Sequence, residues 1–322
     1  MNPKPTVTFA SAFEEDCFKG LSSDPKYLLS KYIYDKKGDR LFQEIMALPE
    51  YYLTRCEYEI LESNAGEIAQ LMKARDGFDL IELGAGDGKK TKLLLKELLI
   101  QHIDFNYLPV DISGNVLAEL EDSLNKEMPD VKVKVQEGSY FAILEKLADY
   151  SSRKKVILML GSNIGNLLHK DAINFLKNIA VAMQSEDLLF MGFDQKKHPQ
   201  AILDAYNDPT GVTAAFNKNH LERINSELGG NFNTSEFLHW ETYDPETGTA
   251  RSFLVSKVEQ DVTIKKLDLS IHFDQWETIH TEISQKYDDQ TIKWLAGEAG
   301  LEVMHYFTDV QKYFRNYIFK KK

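Results

Sequence analysis

At 322 residues the chain has room for one large domain or two smaller ones, and an apolar content of 43% supports a substantial core. Its 50 acidic and 38 basic residues give a net charge of −12 without a dense basic block, which argues against nucleic acid or membrane as the main partner and for a small molecule. The two cysteines, Cys17 and Cys56, form no C-x-x-C and the histidines do not cluster, so neither a disulfide framework nor a metal site is expected. With no leader-like start and no apolar run long enough to cross a bilayer, the expectation is a protein of the cytoplasm; the oligomeric state stays open, with a monomer as the default.

In chain order, residues up to about 71 are expected to be helical, with a turn over 31–38 and Pro49 ending the helix that contains Leu41, Phe42 and Ile45. Residues 79–83 read as a buried strand that breaks into the turn Gly84-Ala85-Gly86-Asp87-Gly88 and opens a helix with Lys89 and Lys90 in its first turn. Gly84 and Gly86 can take positive φ and carry no Cβ to block a ligand lying across the turn. The spacing is G-x-G-x-G, whereas dinucleotide sites use G-x-G-x-x-G, which favours S-adenosylmethionine over NAD. Two lysines at a helix N-terminus call for a nearby anion, and Lys90 is the candidate to meet the cofactor's methionine carboxylate. On these residues alone a glycine turn with solvated lysines stays open.

A second strand ends in Asp111, 27 residues beyond Gly84 and placed to accept hydrogen bonds from ribose hydroxyls. A third, 131–135, leads to Gly138, Ser139 and Tyr140, where the loop beside an adenine would lie. A fourth, 156–160, ends in Gly161-Ser162-Asn163-Ile164-Gly165-Asn166. Asn166 can bind an amino acid head group through an amide that both donates and accepts, or cap the helix near Leu167. Residues 196–230 are helical in pattern, and 238–243, 251–258 and 268–273 read as antiparallel strands, the first two joined by a turn at 244–248. If 279–287 is extended, alternation puts Glu282 and Ser284 on one face about 7 Å apart, able to hold two polar edge atoms such as the nitrogens of an imidazole. An exposed polar strand is the other reading. Tyr34, Tyr51, Tyr52 and Tyr206 suit a small polar ligand in a partly dry cleft, or plain packing. A helix near 291–299, the breaker Gly300 and two strand-like runs would complete the sheet.

Six segments then converge: 48–55 (LPEYYLTR), the glycine turn, 110–113 (VDIS), 161–166 (GSNIGN), 211–217 (GVTAAFN) and 280–287 (HTEISQKY). In their order and approximate spacing the chain resembles, over nearly its full length, the histidine Nα-methyltransferases of ergothioneine biosynthesis. Those enzymes transfer three methyl groups from S-adenosylmethionine to the α-amino group of L-histidine, giving hercynine. The resemblance implies a class I methyltransferase fold, an α/β Rossmann-like parallel-type sheet with helices on both faces, formed by 61–195 and 287–322, and a substrate-binding lobe formed by 1–60 and 196–286. It implies that Gly84, Gly86, Lys90 and Asp111 contact S-adenosylmethionine, with Ser139 and Tyr140 near the adenine. Tyr51, Asn166, Tyr206, Ser252, Glu282 and Ser284 would surround the histidine, and Tyr34 and Asn166 would act at the reacting amine. Two positions depart from the family pattern: Ser139 stands where an acidic residue is usual, and Ser252 where a methionine commonly borders the side-chain pocket. The rival expectations are a methyltransferase for another, aromatic amino acid, which Ser252 favours and Glu282 opposes, and a non-catalytic relative that keeps the pocket.

Overall fold

Every residue of Phe78–Leu83 is buried, the pattern of a parallel strand covered on both faces. In the computed structural model, which describes residues 9–138, 140–148 and 153–322, this strand lies inside a seven-stranded sheet. The strand order is Leu301–Thr308, Phe314–Lys321, Leu188–Asp194, Lys154–Met159, Phe78–Leu83, Phe105–Asp111 and Gln136–Glu137. Phe314–Lys321 pairs antiparallel with both neighbours, while the strands from Leu188–Asp194 to Gln136–Glu137 pair in parallel. This is the expected class I methyltransferase sheet, closed at one side by the two C-terminal strands. The chain leaves Phe78–Leu83 toward one edge and later returns to Lys154–Met159 on its other side, so the order reverses between these two strands. Open α/β sheets bind ligands at such a reversal, outside the carboxyl ends of the strands.

The chain divides into two compact units, Tyr52–Lys196 with Gln285–Lys322, and Met1–Tyr51 with Lys197–Ser284. In the unit that carries the sheet, Ile81, Leu108, Ile157, Leu189 and Phe193 pack with Phe175, Leu176 and Ile179 of helix His169–Ala182 and Leu295 of helix Asp289–Glu298. The helix Tyr52–Met72 belongs wholly to this unit. The boundary expected at residue 60 would have cut it. Its buried residues Leu53, Cys56, Ile60, Leu61, Ile68 and Met72 recur at helical spacing along one continuous stripe.

The other unit holds a four-stranded sheet in the order Lys26–Tyr27, Thr278–Gln285, Thr249–Ser256 and Phe237–Asp244. Alternating burial along Phe237–Asp244 turns Phe237, His239 and Glu241 inward. Phe237, Leu254 and Ile279 pack with Leu221, Ile224 and Leu228 of helix Val212–Leu228.

Two local expectations change. Residues 131–135 form only a bridge at Val133 to Tyr107, and pairing is taken up by Gln136–Glu137, because an edge position with lysines at 132 and 134 has little to bury. Residues 31–38 are not one turn, since Asp35 accepts hydrogen bonds from the Lys37 and Gly38 N–H groups at 3.0 and 2.8 Å and starts helix Lys36–Met46. The antiparallel strand expected at 268–273 is present as Leu269–Phe273, paired with Gln260–Ile264 in a two-stranded sheet of its own. No helix among the described residues is long and apolar enough to cross a membrane.

Candidate functional site

Gly84 and Gly86 hold φ of 76° and 53°, as a turn leaving a buried strand requires. The Gly84 N–H donates to the Val110 carbonyl at 2.8 Å, fixing the turn against the neighbouring strand. A Cβ on Gly84 would stand 2.5 Å from the Tyr140 hydroxyl, whereas one on Gly86 would meet nothing within 4 Å. Tyr140 therefore lies against the first glycine, and open space lies over the second. Asp111 closes its strand with its carboxylate accepting from the Gly86 N–H at 3.4 Å and the Ser113 N–H at 3.0 Å. Burial, then the Asp111 and Glu82 carboxylates, push the Tyr140 phenol up to about 12, so it is a neutral hydroxyl. Under the turn, the fully buried Glu82 accepts from Thr91 at 2.6 Å and from the Tyr107 hydroxyl. Burial raises its carboxyl to about 7 against those hydrogen bonds and the Lys90 charge. A glycine cradle open on one side, with an acid at the next strand end, fits a nucleoside-bearing cofactor. Ser139 lies outside the described residues.

The helix after the turn begins at Thr91, so Lys89 and Lys90 precede it instead of occupying its first turn. Both meet anions of the chain, Lys89 pairing with Asp87 at 2.9 Å and Lys90 with Glu57.

Asn166 ends the single helical turn Asn163–Asn166 after strand Lys154–Met159 and is exposed. The next helix starts at His169 with Leu168 in the capping position, so Asn166 caps nothing there. Ser162, which opens the turn, takes φ 58°, a conformation that costs a non-glycine residue about 1–2 kcal/mol. Surrounding contacts hold it. Its hydroxyl accepts from the Asp194 N–H at 2.9 Å, and Tyr287 donates to the Ile164 carbonyl at 3.1 Å. Asp194 in turn takes the Lys286 ammonium at 2.9 Å and the Tyr52 hydroxyl at 2.8 Å, all in the interior.

In the other unit, Tyr34, Tyr51 and Tyr206 form an aromatic group with Phe42 and Phe216. Ring centroids are 5.5 Å apart for Tyr34 and Phe42, 5.3 Å for Tyr34 and Phe216, and 6.1 Å for Tyr51 and Tyr206. Tyr206 and Ser284 share a hydrogen bond of 2.7 Å. Burial, then the Glu282 carboxylate and the phenols of Tyr51 and Tyr206, raise the Tyr34 hydroxyl well above the usual tyrosine range, although 36% of the residue is exposed. Five residues proposed from distant parts of the sequence thus form one polar-edged aromatic cluster. Ser252 is only 2% exposed; its hydroxyl donates to Glu241 at 2.6 Å across the strand pair, and its carbonyl accepts from Thr281 at 3.1 Å.

Several supporting residues carried no assignment in the sequence reading. Asp208 accepts from the Val212 and Thr213 N–H groups at 3.1 and 2.7 Å and so starts the helix that delivers Phe216. Burial opposes its charge, but these bonds and Thr210 hold its carboxyl down at about 2. Asn217 accepts from Thr281, beside Glu282, at 2.7 Å. Glu57 had a visible signal, a carboxylate on the apolar stripe between Leu53 and Leu61.

Residues 13–321 match the family described as histidine-specific methyltransferase, SAM-dependent. The histidine N-alpha-methyltransferase of Mycolicibacterium smegmatis is 33% identical over 300 residues, covering 93% of this chain and 92% of that protein. That of Mycobacterium tuberculosis is 34% identical over 298 residues, covering 92% and 91%. Ergothioneine biosynthesis protein 1 of Schizosaccharomyces pombe is 31% identical over 304 residues, covering 92% of this chain and 39% of that protein.

Proposed function

Since the chain belongs to the S-adenosylmethionine-dependent, histidine-specific methyltransferase family, we propose that it methylates the α-amino nitrogen of L-histidine, three times, to give hercynine. The observation that carries this reading is the cluster of Glu282, Ser284, Tyr206 and Tyr34, which joins two polar side-chain readers to phenols suited to a head group and an amine. Bound S-adenosylmethionine supplies an electrophilic methyl on its sulfonium. Gly84, Gly86, Lys90, Asp111 and Tyr140 are the residues that hold it in this proposal. Tyr51, Asn166 and Tyr206 hold the amino acid head group, and Glu282 and Ser284 hold the imidazole nitrogens.

The attacking amine must be neutral, because an ammonium has no lone pair. Tyr34, raised by burial and Glu282, does not ionise near neutral pH, so it serves as an uncharged hydrogen-bonding group that orients the amine, and the amine's proton is released to water, the phenol handing on its own proton as it takes that one. Positioning then supplies much of the rate, through the restricted approach of lone pair to methyl. Glu282 sets selectivity in this proposal, since an imidazole N–H offers its carboxylate a hydrogen bond that an apolar side chain does not. The test is methyl transfer to L-histidine and to Nα-acetyl-L-histidine, followed by release of S-adenosylhomocysteine. The free amine should turn over and the acetylated one should not; equal turnover would place the methyl elsewhere on the molecule.

A further inference from the structure

Glu57 sits on helix Tyr52–Met72 with 0% of its surface exposed. One carboxylate oxygen accepts from the Lys90 ammonium and from the Gly161 N–H at 2.8 Å, and the other from the Asn316 amide at 2.8 Å. A Cβ on Gly192 would come within 2.4 Å of that second oxygen, so the strand Leu188–Asp194 gives way to it with a glycine. One carboxylate thereby ties the residue after the glycine turn, the turn after Lys154–Met159 and the strand Phe314–Lys321 to one helix. A buried carboxylate needs a cation, and Lys90 pairs with it. Lys90 keeps 25% of its side chain exposed, and an ammonium has three donors, so a second acceptor can be met while Glu57 is held.

We infer that Glu57 is the positioning residue for Lys90 in cofactor binding: it fixes the ammonium between the two glycine turns, so that the carboxylate of S-adenosylmethionine meets a lysine already in place. This rests on the reading that Lys90 receives that carboxylate. A free lysine would have to give up side-chain freedom on binding, whereas one clamped by Glu57 has already done so in the folded chain.

The test is a double-variant cycle on the affinity for S-adenosylhomocysteine, measured by calorimetry for wild type, Lys90→Met, Glu57→Gln and the double variant, with thermal melts of each without ligand. Lys90→Met should weaken binding about tenfold or more and Glu57→Gln about fivefold or more. The double variant should be no worse than Lys90→Met within about twofold, because Glu57 acts through Lys90. A purely structural role would instead lower the melting temperature and give losses that multiply in the double variant, which overturns the inference. Wild-type affinity in Glu57→Gln beside a loss in Lys90→Met overturns it too, and leaves the role of Lys90 standing. Wild-type affinity in Lys90→Met removes the role of Lys90 and this inference with it. If Glu57→Gln is unfolded at the assay temperature, Glu57→Asp is read in its place, since it keeps the charge but draws it away from Lys90, and the same outcomes decide.

Discussion

Replacing Gly86 by alanine separates what the glycine turn needs to fold from what it needs to bind. At φ 53° an alanine bears left-handed strain, about 1–2 kcal/mol, partly offset by a stiffer unfolded chain. Its methyl would meet no protein atom within 4 Å, so no steric cost is added, and a net loss of about 1 kcal/mol lowers the melting temperature by roughly 2–4 °C. The same methyl projects into the space where the cofactor is proposed to cross the turn. Affinity for S-adenosylhomocysteine should therefore fall at least about tenfold, roughly 1.4 kcal/mol or more, beyond anything the melt explains. Gly84→Ala provides the contrast, since its methyl would lie 2.5 Å from the Tyr140 hydroxyl, and stability and affinity should fall together. Calorimetry and thermal melts on the three proteins decide. A Gly86→Ala protein that melts a few degrees lower yet binds within twofold of wild type would show that the ligand does not cross here.

Glu82 is held near 7 by burial against an ordinary 4.5, so the folded chain keeps a proton that the unfolded chain has released over that interval. Its contribution to stability is whole below pH 4.5 and lost as pH rises through 7, by up to about 3 kcal/mol. Glu82→Gln should flatten this fall; because His220, kept neutral by burial and pushed down to about 3, gives an opposite slope in both proteins, the difference between their melts from pH 4.5 to 7 is the quantity to read. An identical pH profile for the two would show that Glu82 does not titrate there. Glu282→Ala should lower kcat/KM for histidine by about one to two decades, from a charge-assisted bond of roughly 1.5–3 kcal/mol, and raise tryptophan relative to histidine; an unchanged ratio would remove Glu282 as the imidazole reader. Tyr34→Phe should reduce turnover while the midpoint of kcat/KM against pH stays put, since the phenol is raised out of the assay range; loss of a titrating limb would mean that Tyr34 ionises in the reaction.

The elements of the proposed cofactor site are legible in the sequence because they are local. A strand, two glycines with positive φ and an acid at the next strand end can each be read within a few residues. The cluster of Tyr34, Tyr51, Tyr206, Glu282 and Ser284 joins positions some 250 residues apart, so from the sequence only the resemblance brings them together. Ser252 shows what strand register adds. Read alone it left room beside a side chain, but its cross-strand partner is Glu241, and its hydroxyl is already given to that carboxylate. A methionine there would strip Glu241 of a buried donor as well as filling space. Glu57 and the Lys286–Asp194 pair escaped because a charged residue looks solvated until packing shows its partner, though Glu57 lay on the apolar stripe of its own helix.

The central claim is tested most directly by offering the protein S-adenosylmethionine with all twenty amino acids together and following the products by mass spectrometry. Histidine should be consumed first and accumulate as its trimethylated betaine, with S-adenosylhomocysteine released in proportion. Methylation of another amino acid with histidine untouched, or no methylation by a folded protein that binds S-adenosylhomocysteine, would contradict it.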